Sequence, residues 1–260
     1  MRNILLLLFM MSYHIPALGA FQLLVKDLTG VGLSYPRSIY IYLPPGYEKS
    51  KINYPVIYMQ DGQNLYDPKR AYLGQTWEAE KSLDALILQR KITPVIVVAI
   101  DNSLDRKNEY TPGPVADAYL RFIVRNVKPL VESKFRVKKG REHTGIIGSS
   151  LGGLVSLYAG VEFSKHFGLI GALSPSIWWN DQEILGFYDR AQTLPLKIYV
   201  DSGTVGGERP QDVESFTTLL LQRVSGERIL RIIQTGGEHR EIFWAQRFPL
   251  ALKYLLPPQF

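Results

Sequence analysis

Apolar residues along the chain follow two rhythms, and their alternation predicts the architecture. Residues 21–28 and 37–43 alternate apolar and polar positions and predict two antiparallel strands at a sheet edge. Residues 54–60 and 94–100 are almost continuously apolar, as are 143–147 and 166–173. Such runs predict parallel strands covered on both faces. Shorter strands are expected at 196–201 and 228–234. Between these runs the period lengthens to that of a helix, at 78–89, 115–135 (with a bend at Pro129), 153–159, 213–224 and 241–256. Residues 101–114, rich in Asn, Asp, Arg and Pro, read as irregular. No repeat or Gly/Ser linker divides the chain, so one doubly wound α/β domain with a mostly parallel sheet is expected.

In such a sheet, sites form on the loops beyond the carboxyl ends of the strands. That rule nominates Asp61, Asp101, Ser150, Ser174, Asp201 and the 236–239 loop as neighbours along one edge. The sharpest feature among them is Gly148-Ser149-Ser150-Leu151-Gly152, a serine flanked by glycines two positions away on either side, between a strand and a helix. This is the setting of a nucleophile elbow, whose strained turn lifts a serine hydroxyl clear of the sheet. Glycine is needed there because side chains would strike adjacent backbone. Leu151 opens the following helix, so its N–H can face a developing oxyanion. A second donor is expected in the loop after 54–60, from the backbone near Gly62 and Gln63. Asp61 is expected to hold that loop by bonding backbone amides.

Composition narrows the chemistry. The 260 residues contain no cysteine and four histidines, which excludes disulfides, thiolate metal sites and cysteine nucleophiles. His14 lies in the leading segment, and His143 and His166 begin strands at the opposite sheet edge, where structural roles are expected. No metal or organic cofactor is expected. The net charge is +6, but the densest basic cluster (Arg136, Lys138, Lys139, Arg141) reads as solvated surface, and no nucleic-acid partner is expected. Residues 1–19 combine a basic start, an apolar run at 4–11 and small residues before a cleavage point after Gly19, the layout of a secretory signal peptide. The apolar run is too short to span a bilayer. Export to the periplasm or medium is therefore expected, with residues 20–260 as the mature domain and no stable membrane insertion after cleavage.

His239 follows the last predicted strand, behind Gly236 and Gly237, where an imidazole can reach a hydroxyl at the elbow and act as its general base. An acid to orient it is expected between 201 and 239, since the chain order in this architecture is serine, acid, histidine. Asp201 reads as strand end. Glu208, in a glycine-rich loop, and Asp212, the expected N-cap of the next helix, are the candidates, and a dyad without an acid stays open.

These residues resemble the putative esterase family of α/β hydrolases, which includes enterochelin esterases, feruloyl esterases and S-formylglutathione hydrolase. The resemblance runs through Tyr40–Tyr47 with its Leu-Pro turn, Tyr54–Asn64, the group Arg106, Glu109, Tyr110 and Thr111, the elbow, 174–180, and Gly237–Glu241 with Trp244 and Arg247. It implies an α/β-hydrolase fold with helices on both faces of the sheet. It also implies a serine esterase with Ser150 as nucleophile and His239 as base. The family's acid follows a Gly-Thr pair closely, whereas here Val205-Gly206-Gly207 separate Gly203-Thr204 from Glu208. The substrate class implied is a small-molecule ester: an acylated sugar, a hydroxycinnamoyl ester or a siderophore-type ester. An acyltransferase using the same residues, and a non-catalytic carbohydrate-binding protein on this scaffold, are the alternatives. Tyr66, Trp77, Tyr110, Trp178, Trp179 and Trp244 fall on or near the site loops and could stack on a ring. Arg106 could bind an anionic group.

Overall fold

The computed structural model describes residues 18–258, so the leading segment expected to direct export lies almost wholly outside the described residues. In chain order the elements are β1 (Phe21–Leu28), β2 (Arg37–Tyr42), β3 (Val56–Met59), α1 (Ala79–Leu88), β4 (Ile96–Ile100), α2 (Arg106–Tyr110), α3 (Pro114–Phe122) and α4 (Lys128–Lys134). There follow β5 (Thr144–Ser149), α5 (Leu151–Glu162), β6 (Leu169–Leu173), α6 (Glu183–Arg190), β7 (Lys197–Gly203), α7 (Pro210–Leu221), β8 (Ile229–Gln234) and α8 (Glu241–Leu255). The eight strands form one sheet in the order β1-β2-β4-β3-β5-β6-β7-β8. β1 pairs antiparallel with β2, and β2 antiparallel with β4. All the other pairs are parallel.

Strand periodicity divides the core into two layers. Val56 and Tyr58 of β3, with Ile96, Val98 and Ile100 of β4, face one side. Ile57 and Met59, with Val97 and Ala99, face the other. The first layer packs against residues of α2 to α7, the second against α1 and α8. Every residue of β3, β4 and β6 is buried, which explains their unbroken apolar runs. Burying each such aliphatic side chain contributes about 1.5–3 kcal/mol. The result is a three-layer α/β-hydrolase sandwich. Among the described residues no helix is long and apolar enough to cross a membrane.

Several local expectations are corrected. The long helix foreseen at 115–135 starts at Pro114 and widens into a π turn at Ile123–Val127 before continuing as α4. Pro129 supplies the cause: it has no N–H to donate, and its ring presses on the carbonyl four residues back. The Lys128 N–H instead reaches the Ile123 carbonyl, the longer span of a π turn. The stretch taken as irregular contains α2. Arg37 of β2 and Glu109 of α2 form two hydrogen bonds, of 2.7 and 2.9 Å, with both side chains fully buried. That pair fixes α2 to the sheet and so places Arg106, at its start. α6 also lay outside the predicted elements; it follows three consecutive residues with positive φ, Asn180, Asp181 and Gln182. The basic cluster is not simply solvated. Arg136 bonds the Tyr47 carbonyl and lies over the Tyr47 ring, and Arg141 bonds the Leu194 carbonyl.

Candidate active site

The carboxyl ends of β3 to β8 converge, and the elbow stands at their centre. Ser150 has φ 57° and ψ −124°, a conformation costing about 1–3 kcal/mol that persists only when the surroundings enforce it. They do so from both sides. The Ser150 N–H donates to the Leu173 carbonyl, and the Ser150 carbonyl accepts from the N–H groups of Leu154 and Ser176. A Cβ at Gly148 would lie 2.5 Å from the backbone of Gly152. One at Gly152 would meet the Gln60 side chain at 3.1 Å and the Asp61 carboxylate at 3.2 Å. At Gly148 only glycine allows this approach, and at Gly152 a Cβ would force its neighbours to give by a few tenths of an ångström.

Ser150 Oγ lies 2.9 Å from His239 Nε2, and His239 Nδ1 lies 3.5 Å from Glu208 Oε2. An ionised carboxylate only accepts, so Nδ1 carries the proton and Nε2 is left to accept from the serine. Two loops are joined to make this meeting. The N–H groups of Thr204 and Val205 both donate to the Gly237 carbonyl, and the Gly236 N–H donates to Thr204 Oγ1. The loop carrying Glu208 is thereby tied to the loop carrying His239. The imidazole stands edge-on to Trp244, with centroids 5.1 Å apart.

Glu208 is the acid that the structure brings to His239. Burial would raise its pKa, but hydrogen bonds from His239 and Ser174 and the charges of His239 and Arg247 hold it down to about 2. Asp212 is corrected on both counts. It is the third residue of α7 rather than its N-cap. Its carboxylate bonds Arg209 and Gln182, not His239. Asp201 is fully buried within β7, and that burial raises it to about 6 even beside Arg247.

Leu151 is the first residue of α5 and Gln63 the second of a 3₁₀ turn at Gly62–Asn64. At these positions a backbone N–H has no partner inside its own helix. Asp61 precedes that turn with φ 53°. Its carboxylate does not bond backbone amides, as expected from the sequence, but takes the Arg106 guanidinium at 2.7 and 2.8 Å and the Asn102 amide at 2.6 Å. Arg106 is therefore committed to Asp61 rather than open to an anionic substrate.

The aromatic candidates separate by burial. Tyr110 is fully buried, and its hydroxyl receives the Asp61 N–H. Trp77 and Trp244 are buried against each other, with Phe248 closing on Trp77. Tyr110 and Trp244 are corrected to core positions, since they border the site from within, whereas the buried Trp77 also lines a cleft. Trp178 is 45% exposed and tilts against the half-buried Trp179, over which Lys107 lies. Tyr66 stacks on Phe21 at 4.7 Å. It lines a cleft of about 680 Å³ together with Glu78, Lys81, Ile242 and Gln246.

Ser176 was not foreseen at the site, and Ser174 was nominated only as a strand end, without its bond to the acid. Ser176 Oγ is 3.4 Å from Ser150 Oγ, and Ser174 Oγ is 2.6 Å from Glu208 Oε1. Both belong to the Ser-Pro-Ser turn after β6, and their position beyond a strand end was the available signal. Among the described residues no cluster of His, Asp and Glu could hold a metal.

Known proteins resemble this chain in sequence and in fold. A family model described as Putative esterase matches residues 32–254. An uncharacterized protein of Bacillus subtilis, YbbA, is 24% identical over 241 residues, covering 84% of this chain and 92% of that protein. A siderophore enterobactin esterase of Emericella nidulans is 46% identical over 72 residues, 27% of this chain and 23% of its own length. Among solved structures, a ferulic acid esterase superposes with a TM-score of 0.74 at 20% identity, covering 92% of this chain and 99% of that one. The enterobactin esterase of Shigella flexneri gives 0.72 at 19%, covering 91% of this chain; the chain spans 59% of that larger protein.

Proposed function

The chain belongs to the Putative esterase family and is an ester hydrolase, and from that premise we propose that it works through a covalent acyl-enzyme on Ser150. The observation that carries this reading is the 2.9 Å approach of His239 Nε2 to Ser150 Oγ at the strained elbow. Ser150 Oγ attacks the ester carbonyl carbon while His239 Nε2 takes its proton. The carbonyl oxygen becomes an oxyanion held by the N–H groups of Leu151 and Gln63, each such donor typically worth about 3–4 kcal/mol in the transition state. His239 returns the proton to the departing alkoxide as the C–O bond breaks. Water then repeats the sequence on the acyl-enzyme and releases the carboxylic acid. Glu208 stabilises the imidazolium that forms in each half.

The substrate is an ester carrying an aryl or sugar-like group, of the hydroxycinnamoyl, acylated-sugar or siderophore class. The exposed Trp178 beside Trp179 and Lys107 supports a flat, electron-rich group at the mouth of the site. The leading segment supports export to the periplasm or medium, which N-terminal sequencing of the secreted protein tests. Hydrolysis of p-nitrophenyl acetate, followed by a panel of feruloyl, acetyl-sugar and catecholate-serine esters, tests the activity and its range. Wild type should turn over and Ser150→Ala should not; equal turnover by both would sink the acyl-enzyme.

A further inference from the structure

Beneath the imidazole lies a hydrogen-bond hub whose directions are fixed by its members' chemistry. Ser174 has φ +42° and is buried. Its Oγ has three partners: Trp244 Nε1 at 3.0 Å, Arg247 Nη2 at 2.6 Å and Glu208 Oε1 at 2.6 Å. Indole and guanidinium nitrogens only donate, so both hydroxyl lone pairs are filled. The single hydroxyl proton is left to Glu208, which accepts it as a carboxylate. Trp244 and Arg247 stand three residues apart on α8, on one face of the helix. That helix begins directly after the loop carrying His239.

Arg247 completes the arrangement. Its Nη1 donates to Gln234 Oε1 at 2.8 Å and its Nη2 also reaches Glu208 Oε1 at 3.2 Å. Its Nε lies 3.0 Å from Asp201 Oδ1 without a hydrogen-bond direction, an ionic contact alone. One guanidinium is thus shared between two buried carboxylates. Ser174 and Arg247 both engage Oε1, which leaves Oε2 to His239 and to Ser202 Oγ at 3.1 Å. The Ser174 backbone is pinned as well, its N–H donating to the carbonyl and the carboxylate of Asp201.

We propose that Ser174 is a positioning residue of this enzyme: its hydroxyl, loaded by Trp244 and Arg247, locks the Glu208 carboxylate in the orientation that presents Oε2 to His239. The proposal rests on the reading of Glu208 as the acid of the triad. It assigns a role in turnover to the positive-φ serine after β6, and it makes α8, which begins just after the base, the element that carries the clamp on the acid.

A double-mutant cycle between Ser174 and Glu208 tests it. Glycine suits the left-handed backbone at 174, so Ser174→Gly removes the hydroxyl without straining the turn. Kinetics with p-nitrophenyl acetate should show kcat lowered on the order of 10- to 100-fold, as a hydrogen bond to a charged group warrants, with KM within about twofold. In a Glu208→Gln background the same change should cost less than about twofold, because the group it acts through is already gone. Trp244→Phe removes one of the two donors and keeps a ring in place; it should lower kcat by about two- to fivefold, and it stands in should the Ser174 variant not fold. An unchanged kcat in Ser174→Gly, or an equal fall in the Glu208→Gln background, overturns the proposal and leaves the triad standing. Should Glu208→Gln itself cost less than about fivefold, the acid assignment fails and the proposal with it.

Discussion

Replacing Glu208 by glutamine keeps the volume of the side chain and removes its charge. In the native site Glu208 Oε2 is 3.5 Å from His239 Nδ1. At an effective dielectric constant of about 20, unit charges at that separation attract by about 5 kcal/mol. This is the stabilisation available to the imidazolium once it has taken the Ser150 proton. The imidazole is 28% exposed while the carboxylate is buried, so water screens part of the attraction. Halving it leaves about 2.5 kcal/mol, and the two limits bracket a fall in kcat/KM between about 70-fold and about 5 × 10³-fold. The assay is p-nitrophenyl acetate hydrolysis between pH 5 and 9. The sign of a pH effect on stability also follows. Held at about 2, Glu208 is ionised throughout that range. Its depressed value contributes stability that is present above the ordinary carboxylate range near 4.5 and is lost as pH falls towards 2; the glutamine variant should lack that acid-side loss. Asp212→Asn is the control and should leave kcat within about twofold. A fall of less than fivefold in Glu208→Gln, or a large one in Asp212→Asn, would refute the reasoning.

Asp61→Asn should lower kcat by about tenfold with little change in KM, because it weakens the paired bonds to Arg106 that hold the turn carrying Gln63; a raised KM at constant kcat would move Asp61 into substrate binding instead. Trp178→Ala should raise KM for feruloyl esters by about three- to tenfold and leave acetyl esters unaffected, in keeping with stacking by an exposed indole; equal effects on both would remove the aryl platform. Arg37→Met strands Glu109 in the core and should cost about 3–5 kcal/mol in urea unfolding, with much of it recovered in Arg37→Met/Glu109→Leu; a loss under 1 kcal/mol would show that the pair does not hold α2 to the sheet.

The parallel strands were legible because burial on both faces removes polar positions, leaving runs such as Ile96–Ile100 that no surface element carries. α2 was hidden by its five residues, too few to show a period. α6 has apolar residues at helical spacing, Ile184 and Tyr188, but follows a turn whose three left-handed residues are all polar and carry no glycine to mark it. At the site, Ser150 and His239 could be nominated from strand ends alone. The choice of Glu208 over Asp212 could not, since it depends on backbone bonds between two loops more than thirty residues apart. Loop aromatics could be listed but not sorted. Tyr110 and Trp244 sit as near the site in sequence as Trp178 does, and only packing distinguishes these rings, which close the core, from Trp178, which meets solvent.

The most direct test of the acyl-enzyme is to label the protein with a fluorophosphonate and map the adduct by peptide mass spectrometry. The adduct should fall on Ser150 alone, be absent from Ser150→Ala, and form far more slowly in His239→Ala. Labelling of Ser176, whose hydroxyl is 3.4 Å away, or undiminished labelling without His239, would contradict the account.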